Sequence, residues 1–126
     1  MPAIESLGPF EQLILTAVDA LKESAYGAQV YDAACEFADK NLNVGSVYVT
    51  LERLCKKGYV VAADANAISD RGWQPTKSYK LTPEGNAALL QSTKTQRRMH
   101  KSYFKTRRRE WKLMQKEELE AEEGRT

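Results

Sequence analysis

Residues 94–116 carry ten basic side chains and a single acidic one. So dense a block of one sign cannot enter a protein core, because unpaired buried charge is too costly. Residues 1–93 hold eight basic and eleven acidic side chains. Residues 117–126 swing the other way, with one basic and five acidic groups. The net charge of +2 over 126 residues thus hides a strongly basic block between two acidic ones. Such a block attracts polyanions, or else it is a solvated helix face, and charge alone does not choose between these readings.

With 42% hydrophobic and 29% charged residues, the chain has the composition of one globular domain with an appendage, able to bury a core without staples. The longest charge-free run, Asn41 to Leu51, covers 11 residues, short of the roughly 18–20 that a membrane span needs. No basic segment leading into an apolar stretch marks a secretory signal. Two cysteines make no disulfide framework and point to a reducing, cytoplasmic setting.

Periodicity supplies the elements. Phe10, Leu13, Ile14, Ala17, Val18 and Leu21 form one stripe of an amphipathic helix that Pro9 can open. A second helix is expected from about Ala28 to Asp39, with Val30, Tyr31, Ala34, Cys35 and Ala38 inward, and Lys40 to Val44 reads as a turn. The third helix should start near Gly45-Ser46 and stop at Gly58, where a C-terminal glycine cap belongs. On a wheel of roughly 100° per residue from Ser46, Leu54, Val47, Leu51, Cys55 and Tyr48 span about 80° to 200° as the apolar side. Ser46, Thr50, Arg53 and Lys57 fall opposite, flanked by Val49 and Lys56, giving a polar and basic face.

Tyr59–Ala63 and Thr76–Leu81 read as two short strands, with Asp64 to Pro75 as a long hairpin tip. Thr82, Pro83 and Glu84 then form a helix start: cap, first-turn proline, first-turn acid. That helix can run through the basic block to about Glu123.

The result is a mainly α chain with a small β-hairpin, in the order helix, helix, helix, wing, long helix. This is the layout of a winged helix-turn-helix domain over residues 1–82, followed by a C-terminal helix over 83–126. A helix with an apolar back and a front of short polar side chains and cations suits the major groove, where Arg and Lys meet guanine acceptors and methyl groups meet thymine. Lys77 on the wing suits flanking phosphates or the minor groove. Similar modules also bind proteins, so the layout alone leaves that alternative open.

Local sequence narrows the choice. LGPFEQLILTAVDAL resembles the opening helix of PadR-family transcriptional regulators, and Ala25-Tyr26-Gly27 resembles the family's Tyr-Gly step into its second helix. Residues 45–54, GSVYVTLERL, resemble its recognition-helix signature. Gly72, Pro75, Lys77, Tyr79, Leu81, Thr82 and Gly85 fall where the family has its wing and the Leu-Thr-x-x-Gly that follows. Residues 5–92 share this resemblance. Val49 stands where many relatives have proline, and Trp73 and Thr76 stand at positions that are usually basic.

The polar face of the third helix and the wing, taken with the resemblance, point to DNA contacts from Ser46, Tyr48, Val49, Thr50, Arg53, Lys57 and Lys77. It also implies a homodimer held by the last helix, where Tyr103, Phe104, Trp111 and Met114 form one stripe with His100 and Arg107. A face that narrow is rarely stable alone, so it calls for a partner. Some members of the family bind small aromatic effectors near this helix, with Trp111 the candidate contact here.

Cys35 and Cys55 read as two small inward-facing hydrophobes. With His100 the only histidine, no Ser-His-Asp arrangement, multi-histidine metal centre or phosphate loop can be assembled, so neither a catalytic residue, a metal nor a cofactor is expected. The expected function is that of a sequence-specific regulator of transcription, a repressor, binding double-stranded DNA as a homodimer at a near-palindromic site, with no membrane partner. A protein-interaction module and a non-specific architectural DNA-binding protein are the alternatives.

Overall fold

The computed structural model describes residues 7–69 and 72–125, and the side chains of these except at 65–69 and 72–76. Trp73, Pro75 and Thr76 therefore have described backbone only. The elements are α1 (Pro9–Leu21), a single 3-10 turn (Lys22–Ser24), α2 (Gly27–Ala38), α3 (Val44–Lys56), β1 (Val60–Ser69), β2 (Gly72–Leu81) and α4 (Pro83–Gly124). Two units can be described separately, Met1–Ser92 and Thr93–Thr126.

In the first unit α1 is central and packs on α2, α3 and β2. It buries Ile14, Leu15, Ala17 and Val18, so Leu15 joins the expected stripe; a helix with neighbours on several sides needs a wider apolar face than one packed on a single surface. Val30 and Ala34 of α2, and Val47, Leu51 and Leu54 of α3, complete the helical core. The α2–α3 turn is fastened from inside. Asp39 closes α2 in the left-handed region at φ 55°, the Tyr31 hydroxyl donates to the Leu42 carbonyl at 2.7 Å, and the Leu42 N–H donates to Cys35 Sγ at 3.4 Å. α3 then begins earlier than the sequence suggested, because the Asn43 side chain accepts from the Ser46 N–H at 2.9 Å and caps it.

The wing is longer than the expected hairpin. The antiparallel ladder runs from Val60↔Leu81 out to Ser69↔Gly72, so the stretch read as a long hairpin tip is mostly strand. A two-stranded ribbon asks only for backbone pairing, which an Ala- and Asn-rich segment supplies, and Pro75 is tolerated because each strand keeps an edge without ladder partners. At the base, the Tyr79 N–H donates to the Ala25 carbonyl at 2.8 Å, and Tyr26 bridges to Ser78. The residues just before α2 thus serve as a stub of third strand.

α4 starts inside this core, with Gly85, Ala88 and Leu89 buried. Its approach is so close that a Cβ added at Gly85 would lie 2.0 Å from the Tyr59 carbonyl oxygen. In the second unit every described side chain is exposed. Among the described residues no helix is long and apolar enough to cross a membrane.

One ion pair ties α1 to the end of α3. Lys57 Nζ donates to Glu11 Oε2 at 2.8 Å, both side chains being mostly covered, while the Gly8 N–H donates to Glu11 Oε1 at 3.2 Å. Burial pushes the Glu11 carboxyl up, but the bonds from Lys57 and Gly8 and the fields of Lys57 and Arg53 outweigh it and hold the carboxyl below its ordinary value. A carboxyl lowered on folding stabilises the protein above its unfolded pKa, and that contribution fades as pH falls through the folded value. Glu11→Gln should therefore cost about 1–2 kcal/mol at neutral pH. The gap between variant and wild type, followed by urea unfolding, should close as pH drops from about 5 towards 3.

Candidate nucleic-acid interface

α3 has the spacing of a packed helix at Val47, Thr50, Leu51 and Leu54, that is i, i+3, i+4 and i+7, and all four are buried. Thr50 is only 4% exposed. Its hydroxyl donates to the Ser46 carbonyl of its own helix at 2.8 Å, which satisfies the group without any outside partner. The expectation that Thr50 faces DNA is therefore corrected. The buried arc is turned by about half a residue step from the one drawn on the wheel, at roughly 100° per residue. The spacing itself carried the signal, since Thr50 completes the heptad-like set of its apolar neighbours.

Lys57 is corrected as well. Its ammonium is engaged by Glu11 and three-quarters covered, so it serves as a strut between α1 and α3 rather than as a free cation. The opposite side of α3 is open: Ser46, Tyr48, Val49, Glu52, Arg53 and Lys56 are exposed. Ser46 stands at the capped start, with its hydroxyl 3.4 Å from Asn43 Oδ1. Glu52 and Lys56 complete the face. The wheel placed Lys56 at its margin and left Glu52 out, because its arc was centred too far towards Ser46.

Tyr48 has two surroundings at once. Its ring lies against Gly27, where an added Cβ would sit 2.8 Å from Tyr48 Cε1 and Oη, yet the residue is 41% exposed. The Tyr-Gly step of the sequence is thus a seat for the α3 tyrosine, and only glycine leaves room for the ring.

Lys77 is exposed on β2, and the ladder register sets Asp64 opposite it, which tempers the positive potential of the wing. Burial pushes the Cys55 thiol up against the pull of the Lys77 ammonium, which favours its protonated form. Burial likewise raises the Tyr79 phenol; Tyr79 is a packing residue at the wing base. Cys35 and Cys55 are free and half-buried.

The expected dimer stripe is on α4, in the second unit. Tyr103, Phe104, Trp111 and Met114 are 55–60% exposed. The Tyr103 and Phe104 rings meet edge to face at 5.4 Å, His100 lies 6.3 Å from Phe104, and the Arg107 guanidinium stacks 4.9 Å from the Tyr103 ring centre. Arg107 also donates to Glu110 at 2.7 Å. The rings are organised along the helix but uncovered.

Comparison with known proteins gives a consistent picture. The family model described as the transcriptional regulator PadR-like family matches residues 14–91. A PadR family transcription regulator from Clostridium difficile R20291 is 26% identical with a TM-score of 0.58, over 75% of this chain and 94% of that one. RosR of H. salinarum, also 26% identical with a TM-score of 0.58, is matched over 75% of this chain and 77% of that one. BpsR of Bordetella bronchiseptica, at 16% identity and TM-score 0.58, shares the fold over 79% of this chain and 66% of that one. No curated protein matches.

Two substitutions separate the faces of α3. Arg53→Ala should lower affinity for a specific duplex by about 1–3 kcal/mol in a binding titration while leaving the melting temperature unchanged. Thr50→Ala should lower stability by about 1 kcal/mol through the lost buried methyl group, with affinity intact at a temperature where the variant is folded.

Proposed function

Because the chain belongs to the PadR-like family of transcriptional regulators, we propose that two copies bind one near-palindromic operator as a homodimer and repress transcription by occupying it. The observation that carries this reading is the division of α3. Its back is locked into the core by Val47, Thr50, Leu51 and Leu54, and its front offers Ser46, Tyr48, Val49, Arg53 and Lys56 to solvent. A rigidly seated helix with such a front can place Arg53 or Lys56 on guanine acceptors and the Val49 methyl groups on thymine. Glu52 adds an acceptor suited to a cytosine amino group. Tyr48, held by Gly27, has its ring packed and its hydroxyl available to a phosphate. Lys77 supplies a further backbone contact from the wing.

In this reading residues 1–82 are the DNA-binding domain, and the helix over 83–126 brings two copies together, its first turns serving the core of the domain. The homodimer is supported by the uncovered rings of Tyr103, Phe104, Trp111 and Met114, since a helix with all side chains exposed gains little stability until its apolar stripe is covered. A small aromatic effector that stacked on Phe104 or Trp111 would act by shifting the population of dimer arrangements, and with it the distance between the two α3 helices.

Selection of bound duplexes from a random pool tests the function. It should enrich inverted half-sites whose centres lie one helical turn, about 34 Å, or a multiple of it apart. Recovery of duplexes with no shared sequence would replace the regulator by an architectural DNA-binding protein. The dimer is tested apart from DNA: the double variant Phe104→Ala and Trp111→Ala should sediment as a monomer at concentrations where the wild type is a dimer.

A further inference from the structure

The basic block is not spread around α4. At roughly 100° per residue, nine of the ten cations between Lys94 and Lys116 fall within about one third of the helical circumference. They are Lys94, Arg97, Arg98, Lys101, Lys105, Arg108, Arg109, Lys112 and Lys116. The tenth, Arg107, lies among the aromatic side chains, where it stacks on Tyr103 and pairs with Glu110. The one acid of the block is thus on the aromatic side too. Five of the nine cations, Lys101, Lys105, Arg108, Arg109 and Lys112, line one shallow cleft. None of these five has an acidic partner among the described residues.

Like charges four residues apart destabilise a helix, and Lys101, Lys105 and Arg109 form such a series, as do Arg108 and Lys112. A solvated face gains nothing from excluding every acid over so many turns. A polyanion lying along the face turns the repulsion into attraction. From Lys94 to Lys116 the face is about 33 Å long at 1.5 Å per residue, close to one turn of duplex DNA.

We propose that this face of α4 is a second nucleic-acid surface, one that holds the phosphate backbone of duplex DNA without reading bases. The proposal rests on the DNA-binding reading above and adds to it a site separate from α3 and the wing. Because the cations and the aromatic stripe occupy different sides of one helix, the same element can serve a protein contact and a phosphate contact at once. A membrane surface is the poorer occupant: the apolar side carries the Arg107–Glu110 pair and His100 in its middle, groups that resist entry into the acyl boundary.

The experiment is a titration of full-length protein with operator and random duplexes over a range of salt concentrations. It compares wild type with a variant carrying Lys101→Gln, Lys105→Gln, Arg108→Gln, Arg109→Gln and Lys112→Gln, whose helicity is checked by circular dichroism and whose assembly is checked by sedimentation. A control carries Arg108→Lys and Arg109→Lys. Each lost phosphate contact removes about 0.9 from the slope of log K against log salt. The slope of the five-site variant should therefore flatten by about four to five for each protomer engaged, with affinity falling at least about tenfold on both duplexes alike. The lysine control should keep the wild-type slope. An unchanged slope overturns the proposal. So does a five-site variant that loses only its dimer, which would assign the face to the acidic Glu117–Glu123 end of a second copy. A variant that loses only binding to vesicles containing phosphatidylglycerol assigns the face to lipid and overturns it too. If the wild type binds neither duplex, the DNA-binding reading itself falls and this surface falls with it.

Discussion

The first unit is organised around one hydrogen-bonded junction. Gly58 ends α3 in the left-handed region at φ 80°, a conformation that glycine adopts without steric cost. The Thr82 hydroxyl donates to the Gly58 carbonyl at 2.6 Å and accepts from the Gly85 N–H at 3.0 Å, while the Thr82 N–H donates to the Tyr59 carbonyl at 3.0 Å. The end of α3, both strand bases and the start of α4 are thereby fastened within a few residues. The first ladder pair, Val60 with Leu81, follows directly from it. Gly85 completes the junction, since α4 rests on the Tyr59 carbonyl with no room for a side chain. Removing the Thr82 hydroxyl would take from the Gly58 carbonyl and the Gly85 N–H the partner they share.

Much of this was legible in the chain. Pro9, Gly58, Thr82 and Pro83 punctuate the elements through local chemistry that needs no tertiary information, and the 3.6-residue stripes of α1 and α2 locate the core. Three features escape such a reading, each for its own reason. Thr50 is chemically ambiguous, a methyl group and a hydroxyl on one carbon. In a buried helix its hydroxyl satisfies itself on the Ser46 carbonyl, so polarity did not report position. Lys57 was misread because its partner Glu11 is 46 residues away, and a long-range pair leaves no periodic trace. The wing was underestimated because Ala65 and Asn66 have weak strand propensity, whereas the ladder depends on a partner strand that begins beyond the turn.

Charge is arranged by region rather than averaged. Within the first unit the acid Glu11 is spent on holding Lys57, and Asp64 stands opposite Lys77 in the wing, so the positive potential of the unit rests on few groups, Arg53 and Lys56 foremost. In the second unit the cations are kept on one side of the helix, and Arg107 is balanced locally by Glu110. On the proposed reading, specificity and general attraction for DNA, which draw on different contacts, fall to different parts of the molecule.

The seat of Tyr48 on Gly27 has a consequence for how such chains diverge. The two residues are 21 positions apart in sequence and belong to different helices, but they occupy one volume. Position 27 cannot acquire a side chain while position 48 keeps its ring, and a smaller residue at 48 would leave a hollow over α2. The two positions are coupled by volume. So long as the ring stays at position 48, position 27 stays glycine, and the surface that α3 can present at this point is constrained by an address in another helix.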